Sequence, residues 1–404
     1  MTILKSKRIE SIDILRGIVM VIMCLDHTRD YYQDIDAAGW PMNLDTTTPA
    51  LFFTRYITHF CAPIFVFLSG LSIYLQSQRK TKKELTKFLL TRGLWLIFLE
   101  IVLNNFLWRF DIMYYRFVFQ VIWAIGASMV VMAALIHLRK HLLLVLGIII
   151  VAGHNLINTF QLDIQTNPYR IDSVLDFLWC LFHQNGGLFI DTETPHYLRV
   201  DYPMLPWLGI MILGYSFGQL YSKTFPAIKR QKYLLIIGTS MLAVFTVLKT
   251  FNLYGDPYFW FDGSLPFFKS FVSFLRIEKY PPSLHYTLVT IGVCLIMLSL
   301  LEKVKNKFSD FLLVFGRVPL FFYFLHVGVI HASSMLLMPL FDKPMYHSVS
   351  NYENLSKSIS SNLGLGLLGV YIAWVLIVAA LYYPCLKYMR YKKKHPEKKW
   401  LSYL

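Results

Sequence analysis

The sequence predicts an all-α fold: a polytopic bundle of transmembrane helices. Three observations carry that expectation. Of the 404 residues, 56% are hydrophobic and only 16% are charged, whereas about a quarter of a soluble domain is charged. The mean hydropathy is +0.49. Apolar runs of about 20 residues, the length that crosses a bilayer core, recur along the chain.

Read in order, these runs give about ten spans: 11–32, 55–76, 88–108, 114–137, 142–160, 203–222, 233–254, 283–301, 312–337 and 363–389. The length then describes a single membrane-embedded domain over residues 1–404, closing in a basic tail at 390–404. The first run carries Asp13 and Arg16 with no A-x-A site after it. It is therefore expected to remain as a helix rather than to be removed as a signal peptide.

The connections alternate in chemistry. One set holds Lys5, Lys7 and Arg8, then "SQRKTKKELTK", "RKH", "SKTFPAIKRQK", "EKVKNK" and the tail "RYKKKHPEKKW". The other set (33–54, 161–202, 255–282, 338–362) holds most of the carboxylates. The positive-inside rule places the basic set, and with it both termini, in the cytoplasm. An even number of spans satisfies this. The net charge of +15 is accounted for in the same way. No RNP, finger or basic-zipper pattern accompanies it, so nucleic acid is not an expected partner. Two outer segments, "SVLDFLWCLFH" (173–183) and "LPFFKSFVSFL" (265–275), are too short to span and read as interfacial or re-entrant pieces.

Cys24, Cys61, Cys180, Cys294 and Cys385 are scattered without CxxC spacing and read as small buried hydrophobes. There is no P-loop, no HExxH and no GxSxG elbow. Nucleotide hydrolysis and metal chemistry are not expected.

The chemistry concentrates in "RGIVMVIMCLDHTRD". Arg16 and His27 are eleven residues apart, three turns plus about 20°, so they share a helix face about 16 Å apart along the axis. Asp30 follows His27 at i,i+3, and Asp26 and Arg29 form another i,i+3 pair. Either Asp26 or Asp30 can orient the imidazole. The bland alternative for this cluster is the wet end of a helix. In the second span, Arg55 and His59 are i,i+4. Pro63 removes the backbone bond to the His59 carbonyl, which predicts a kink. His59 is then either a structural residue capping that kink or a chemical one. Glu100 and Asn104 share a face of the third span. In "FGRVPLFFYFLHVGVIH", Arg317 lies near the cytoplasmic end, with Tyr323 and His326 on one face deeper in. Arginines inside and histidines outside suit a molecule with a polyanionic end in the cytoplasm and a reactive group across the membrane. They also suit a proton relay.

The Arg16-x10-His27 spacing resembles the helix-1 motif of the membrane acyltransferase-3 family. "ESIDILRGIVMVIMCLDHTRDYY", "THFCAPIFVFLSG", "DYPMLPWLGIMILGYSFG", "KYPPSLHY" and "GRVPLFFYFLH" resemble bacterial relatives of heparan-alpha-glucosaminide N-acetyltransferase. The resemblance implies a multi-helix enzyme of the bacterial inner (plasma) membrane. It would transfer an acetyl or other acyl group from cytoplasmic acyl-CoA to a hydroxyl or amine of a sugar or glycan-type acceptor outside. By the motif match, His27 is the implied catalytic histidine. The heparan enzyme carries its histidine in the loop after helix 1; here that loop, "QDIDAAGWPMN", keeps Trp40 but has no histidine. The base must then be His27 or His59.

These readings combine into one expectation. Arg16, Arg92 and Arg317 hold the CoA diphosphate, because a guanidinium fork pairs well with phosphate. Tyr323 and His326 line the path of the pantetheine arm. His27, supported by Asp26 and Asp30, acts as general base or carries the acyl group covalently. Arg29, Arg55 and Trp40 contact the acceptor, with Trp179 and Trp260 stacking on sugar faces or belonging to the interfacial aromatic belt. The chain is compatible with a homodimer. A competing expectation is a proton-coupled transporter or flippase of a lipid-linked sugar, with His27, His59 and Asp30 as relay. A non-catalytic scaffold is a third.

Overall fold

The structure, a computed structural model, describes residues 9–34, 39, 41–160, 170, 171, 173–189, 196–260, 266–349, 362–398, 400 and 401. It is predominantly helical. α1 runs Glu10–Tyr32. α2 (Pro49–Thr58) starts behind the Thr48 side chain, which accepts from the Leu51 N–H, with Pro49 in the first turn. α3 spans Cys61–Ser77. α4 (Lys82–Leu99) opens on a Thr81/Glu84 capping box. It passes through a π-turn at Glu100–Asn104 into α5 (Asn105–Arg109).

Then follow β1 (Arg116–Phe119), α6 (Val121–Leu135) and α7 (Lys140–Gly153). Next come β2 (Arg170–Ile171), α8 (Val174–Phe182), β3 (Gly186–Phe189) and β4 (Tyr197–Val200). The remaining helices are α9 (Met204–Phe217), α10 (Ala227–Thr250), α11 (Phe267–Leu275), α12 (Leu284–Leu300), α13 (Lys307–Arg317), α14 (Pro319–Leu337) and α15 (Leu367–Lys394).

A helix occupies each of the ten expected segments. Among the described residues, six continuous helical stretches are long and apolar enough to cross a membrane: Pro49–Ser77, Lys140–Asn158, Ala227–Thr250, Leu284–Lys303, Pro319–Phe341 and Leu367–Lys394. α1 is long enough but carries Glu10, Asp13, Arg16, Asp26, Arg29 and Asp30.

Two boundaries are corrected. The fourth segment does not begin helical: residues 116–119 form β1, rich in β-branched and aromatic side chains. The ninth is two helices, because Pro319 has no N–H to continue α13 and instead opens α14. α15 continues to Lys394, so the basic tail begins inside a helix. α8 and α11 are nine-residue helices too short to span.

A small four-stranded sheet, not expected from the apolar runs, joins the helices. Its strand order is β1-β4-β3-β2, with β1 parallel to β4, β3 antiparallel to β4 and β2 parallel to β3. Asn105 clamps it to the bundle, donating to the Val118 carbonyl and accepting from the Val118 N–H at 2.8 Å.

α9 lies at the centre, with Trp207, Ile210, Met211 and Ile212 fully buried. In a lipid solvent, helix contact is won by close backbone approach at small residues rather than by an apolar driving force. Gly70 of α3 and Gly214 of α9 meet in this way: a Cβ on either would collide with the Met211 or the Phe67 carbonyl oxygen. Gly17 of α1 and Gly316 of α13 do the same against the carbonyls of Leu312 and Asp13. All five cysteines are buried and free.

Gly316→Val should lower the unfolding midpoint of detergent-purified protein by the equivalent of about 1–3 kcal/mol, the usual cost of overpacking. Gly153→Ala, whose Cβ would meet nothing within 4 Å, should leave it unchanged. Equal midpoints for the two variants would contradict the close-packed crossing.

Candidate active site

α1 carries six charged side chains besides His27, and those that are buried require partners. Asp26, 9% exposed, receives Arg55 Nη1 on both carboxylate oxygens, at 2.8 and 2.6 Å. Arg29 Nη2 lies 3.0 Å from Asp26 Oδ1 and also donates to Asp30 Oδ1 at 3.0 Å. Arg29 and Arg55 are themselves 7% exposed. Two guanidiniums thus compensate one buried carboxylate, tying α1 to α2.

This corrects one expectation: neither Asp26 nor Asp30 is the hydrogen-bond partner of His27. That partner is His326 on α14, with His27 Nδ1 and His326 Nε2 2.8 Å apart and the rings 8° from parallel. His326 Nδ1 lies 2.9 Å from the Phe322 carbonyl. A carbonyl only accepts, so His326 Nδ1 carries the proton, and in the neutral ring Nε2 then accepts. His27 Nδ1 therefore donates, which leaves His27 Nε2 as a lone pair. Trp108 packs edge-on against His27 at 4.7 Å, and Tyr323 at 6.1 Å.

His27 lines a cavity of about 520 Å³ together with Asp26, Arg29, Asp30, Arg55 and Tyr323. The far walls are residues the sequence did not single out: Trp108 and Arg109 from α5, Arg199 from β4, Asp201 and Tyr202 just after it, and Tyr258, Glu278, Lys279 and Tyr280 from the α10–α12 connection. Asp201 and Tyr202 lie in "DYPM", and Lys279 and Tyr280 in "KYPP". Those two family-like segments were the available signal, although no spacing rule links them to His27. Asn104, Trp108 and Tyr323 face one another, with the Tyr323 hydroxyl within side-chain hydrogen-bonding reach of the other two.

The α10–α12 connection is held by buried polar groups. Asp256 accepts from the N–H groups of Tyr258 and Glu278 and from the Ser283 hydroxyl. Lys249, fully buried, donates to the carbonyls of Tyr258 and Arg276. Burial raises the Glu278 carboxyl above the ordinary range, opposed by the Tyr280 N–H donating to it at 2.7 Å. Burial likewise pushes the Tyr258 phenol up to about 12.

The other sequence-expected residues are placed as follows. His59 sits at the break between α2 and α3, 3% exposed and off the cavity wall. Its Nδ1 donates to the Arg55 carbonyl, and the carbonyl that Pro63 leaves free accepts from the Tyr286 hydroxyl at 2.6 Å. These contacts are those of a kink cap, and no hydrogen bond links His59 to His27 among the described residues. Arg16 donates to Asp13 Oδ1 at 2.9 Å and to the Gly316 carbonyl. Arg317 faces Asp13 and Glu10 at 3.8 and 3.7 Å. The two arginines therefore flank one carboxylate, that of Asp13. Arg92 is apart from them, interacting with Tyr388 of α15. Trp179 and Trp260 are off the cavity wall, which uses Trp108 instead. Trp40 lies outside the described residues.

Residues 8–250, more than half of the chain, match the profile described as heparan-alpha-glucosaminide N-acetyltransferase, catalytic. The chain belongs to that family. It is thus a membrane protein of an acetyltransferase family, and the match covers α1 with His27 and stops short of Lys279 and His326. No curated protein matches it. Among the described residues no group of three or more His, Cys, Asp or Glu side chains could hold a metal ion.

Asp26→Asn should destabilise the protein by about 3–5 kcal/mol, because two buried guanidiniums lose their counter-charge. The Asp26→Leu/Arg55→Met pair should cost less than the two single changes added together. Additive losses in denaturant titrations would refute the shared ion cluster.

Proposed function

We propose that this protein is an integral membrane acyltransferase that moves an acetyl group from cytoplasmic acetyl-CoA, or a related acyl-CoA, to a hydroxyl or amine of a sugar-type acceptor bound on the outer side. The proposal places ten crossings and both termini at the cytoplasmic face of a bacterial plasma membrane, in keeping with the distribution of Lys and Arg.

The observation that carries the reading is the hydrogen-bonded pair of His27 and His326 beside a polar cavity. The pair defines a tautomer with a basic nitrogen at His27 Nε2. In the proposed step, that nitrogen takes the proton of the acceptor O–H or N–H as the oxygen or nitrogen attacks the thioester carbonyl. A C–O or C–N bond forms, the C–S bond breaks, and the imidazolium returns its proton to the departing thiolate. His326 keeps the His27 ring oriented, and the Asp26 carboxylate, close enough to interact electrostatically with His27, favours the transient positive charge. An acyl-His27 intermediate is the variant in which Nε2 attacks first.

Arg16 and Arg317 lie at the opposite end of α1, about 16 Å from His27 by helix rise. We propose them, with Arg92, as the donors to the CoA diphosphate. Arg317 is the more available of the pair, because both of its carboxylate contacts exceed 3.5 Å and its side chain is 28% exposed.

Acetyl-CoA should bind purified wild type. His27→Ala should retain that binding and lose thioester turnover by about 10²–10⁴-fold. His326→Ala should lose less and shift the pH profile, since it frees the His27 tautomer. Arg317→Ala should raise KM. Absence of acetyl-CoA binding up to millimolar concentration would overturn the donor assignment.

A further inference from the structure

The cavity wall carries five cations, namely Arg29, Arg55, Arg109, Arg199 and Lys279. Three are held by carboxylates: Arg55 by Asp26, Arg29 by Asp26 and Asp30, and Arg199 by Asp201. Lys279 and Arg109 make no such close pair: among the described residues neither has a carboxylate within 4 Å, Lys279 Nζ makes no hydrogen bond, and Arg109 meets Asp201 and Asp111 only at longer range. Lys279 is nevertheless only 6% exposed, its ammonium 4.8 Å from the Tyr280 ring centroid and 5.6 Å from that of Tyr202. Arg109 has the Asn105 amide oxygen at 3.3 Å.

A buried ammonium without a counter-ion is costly, and two aromatic faces recover only about 0.5–2 kcal/mol. Lys279 does not complete the Asp26 cluster, because that carboxylate is already shared by two arginines. Glu278, the remaining acid of the wall, accepts from the Tyr280 N–H, and its burial favours the neutral form. Lys279 is close enough to interact electrostatically with both Asp26 and His27. The segment that presents it is pinned by Asp256, so the charge is preorganised rather than mobile.

We propose that Lys279 and Arg109 form an anion subsite for an acidic group, a carboxylate or phosphoryl, carried by the acceptor. The inference rests on the acyltransferase reading, since it takes the cavity to be the acceptor side. It adds that the acceptor is an acidic sugar rather than a neutral one. The ammonium and guanidinium would supply the missing charge-assisted donors, and the sugar body would lie between Trp108, Tyr202 and Tyr280, with its nucleophile toward His27 Nε2.

The test uses full-length protein in detergent and four probes: glucosamine, glucosamine 6-phosphate, glucuronate and acetyl-CoA. Binding is read by calorimetry. The acidic sugars should bind more tightly than glucosamine, and Lys279→Met should weaken them by about tenfold, the scale of one charge-assisted hydrogen bond. Affinity for glucosamine should fall far less, and Lys279→Arg should recover part of the loss. Arg109→Gln gives an independent readout if Lys279→Met does not fold. Equal affinity for the acidic sugars and for glucosamine overturns the proposal. A loss that falls on acetyl-CoA and spares the acidic sugars assigns these cations to the CoA diphosphate and overturns it as well. If acidic sugars bind through Lys279 but no acyl transfer accompanies them with any donor, the anion subsite stands and the acyltransferase reading fails.

Discussion

Asp26 is the point from which the site is organised. A carboxylate at that depth in α1 must be neutralised, and it is, by Arg55 from α2 and Arg29 from its own helix. The cost of separating these charges fixes the rotation of α1 about its axis. That rotation sends His27, the next residue, toward α14, where His326 meets it. A slip of one residue along α1 would turn His27 by about 100° and break the pair.

Proline and glycine set where the helices break and where they touch. Pro63 frees the His59 carbonyl, and the Tyr286 hydroxyl takes it up, which draws α12 against the α2–α3 break. Pro319 splits the ninth segment, so Arg317 ends one helix while Tyr323 and His326 occupy the next. Gly17 and Gly316 bring α1 and α13 so close that Arg16 can donate to the Gly316 carbonyl. The first and last of these give a backbone carbonyl a side-chain donor that it would otherwise lack in an apolar medium.

The π-turn at Glu100–Asn104 belongs to the same scheme. Its extra residue offsets the ladder, so that the Asn105 amide reaches the Glu100 carbonyl and also grips Val118 of β1. Glu100, fully buried, is held by the Asn104 amide and the Trp123 N–H. Through this junction the small sheet, which contributes Arg199 near the cavity, is tied to the helices that carry His27's neighbours. His331 lies beside it, each ring nitrogen 2.8 Å from a carbonyl oxygen, of Leu107 and of Ser348, and its ring between those of Phe110 and Tyr31.

The sequence alone determined the helical class, the ten apolar segments, the kink at His59 and the shared face of Arg16 and His27. All of these follow from apolar run length, proline chemistry and the 3.6-residue period, which are local properties. It also placed Tyr323 and His326 on one face of their helix. Only the tertiary structure decided which side chain His27 pairs with, that Asp26 serves two arginines instead of the imidazole, and that Lys279 faces the same cavity from a connection some 250 residues away. Those outcomes depend on how helices rotate and cross, which the packing of the whole bundle sets. Trp108 entered the site for the same reason, while Trp179 and Trp260, equally aromatic in sequence, were packed elsewhere. Residue type records what a side chain can do; the crossing geometry selects which of those capacities meet.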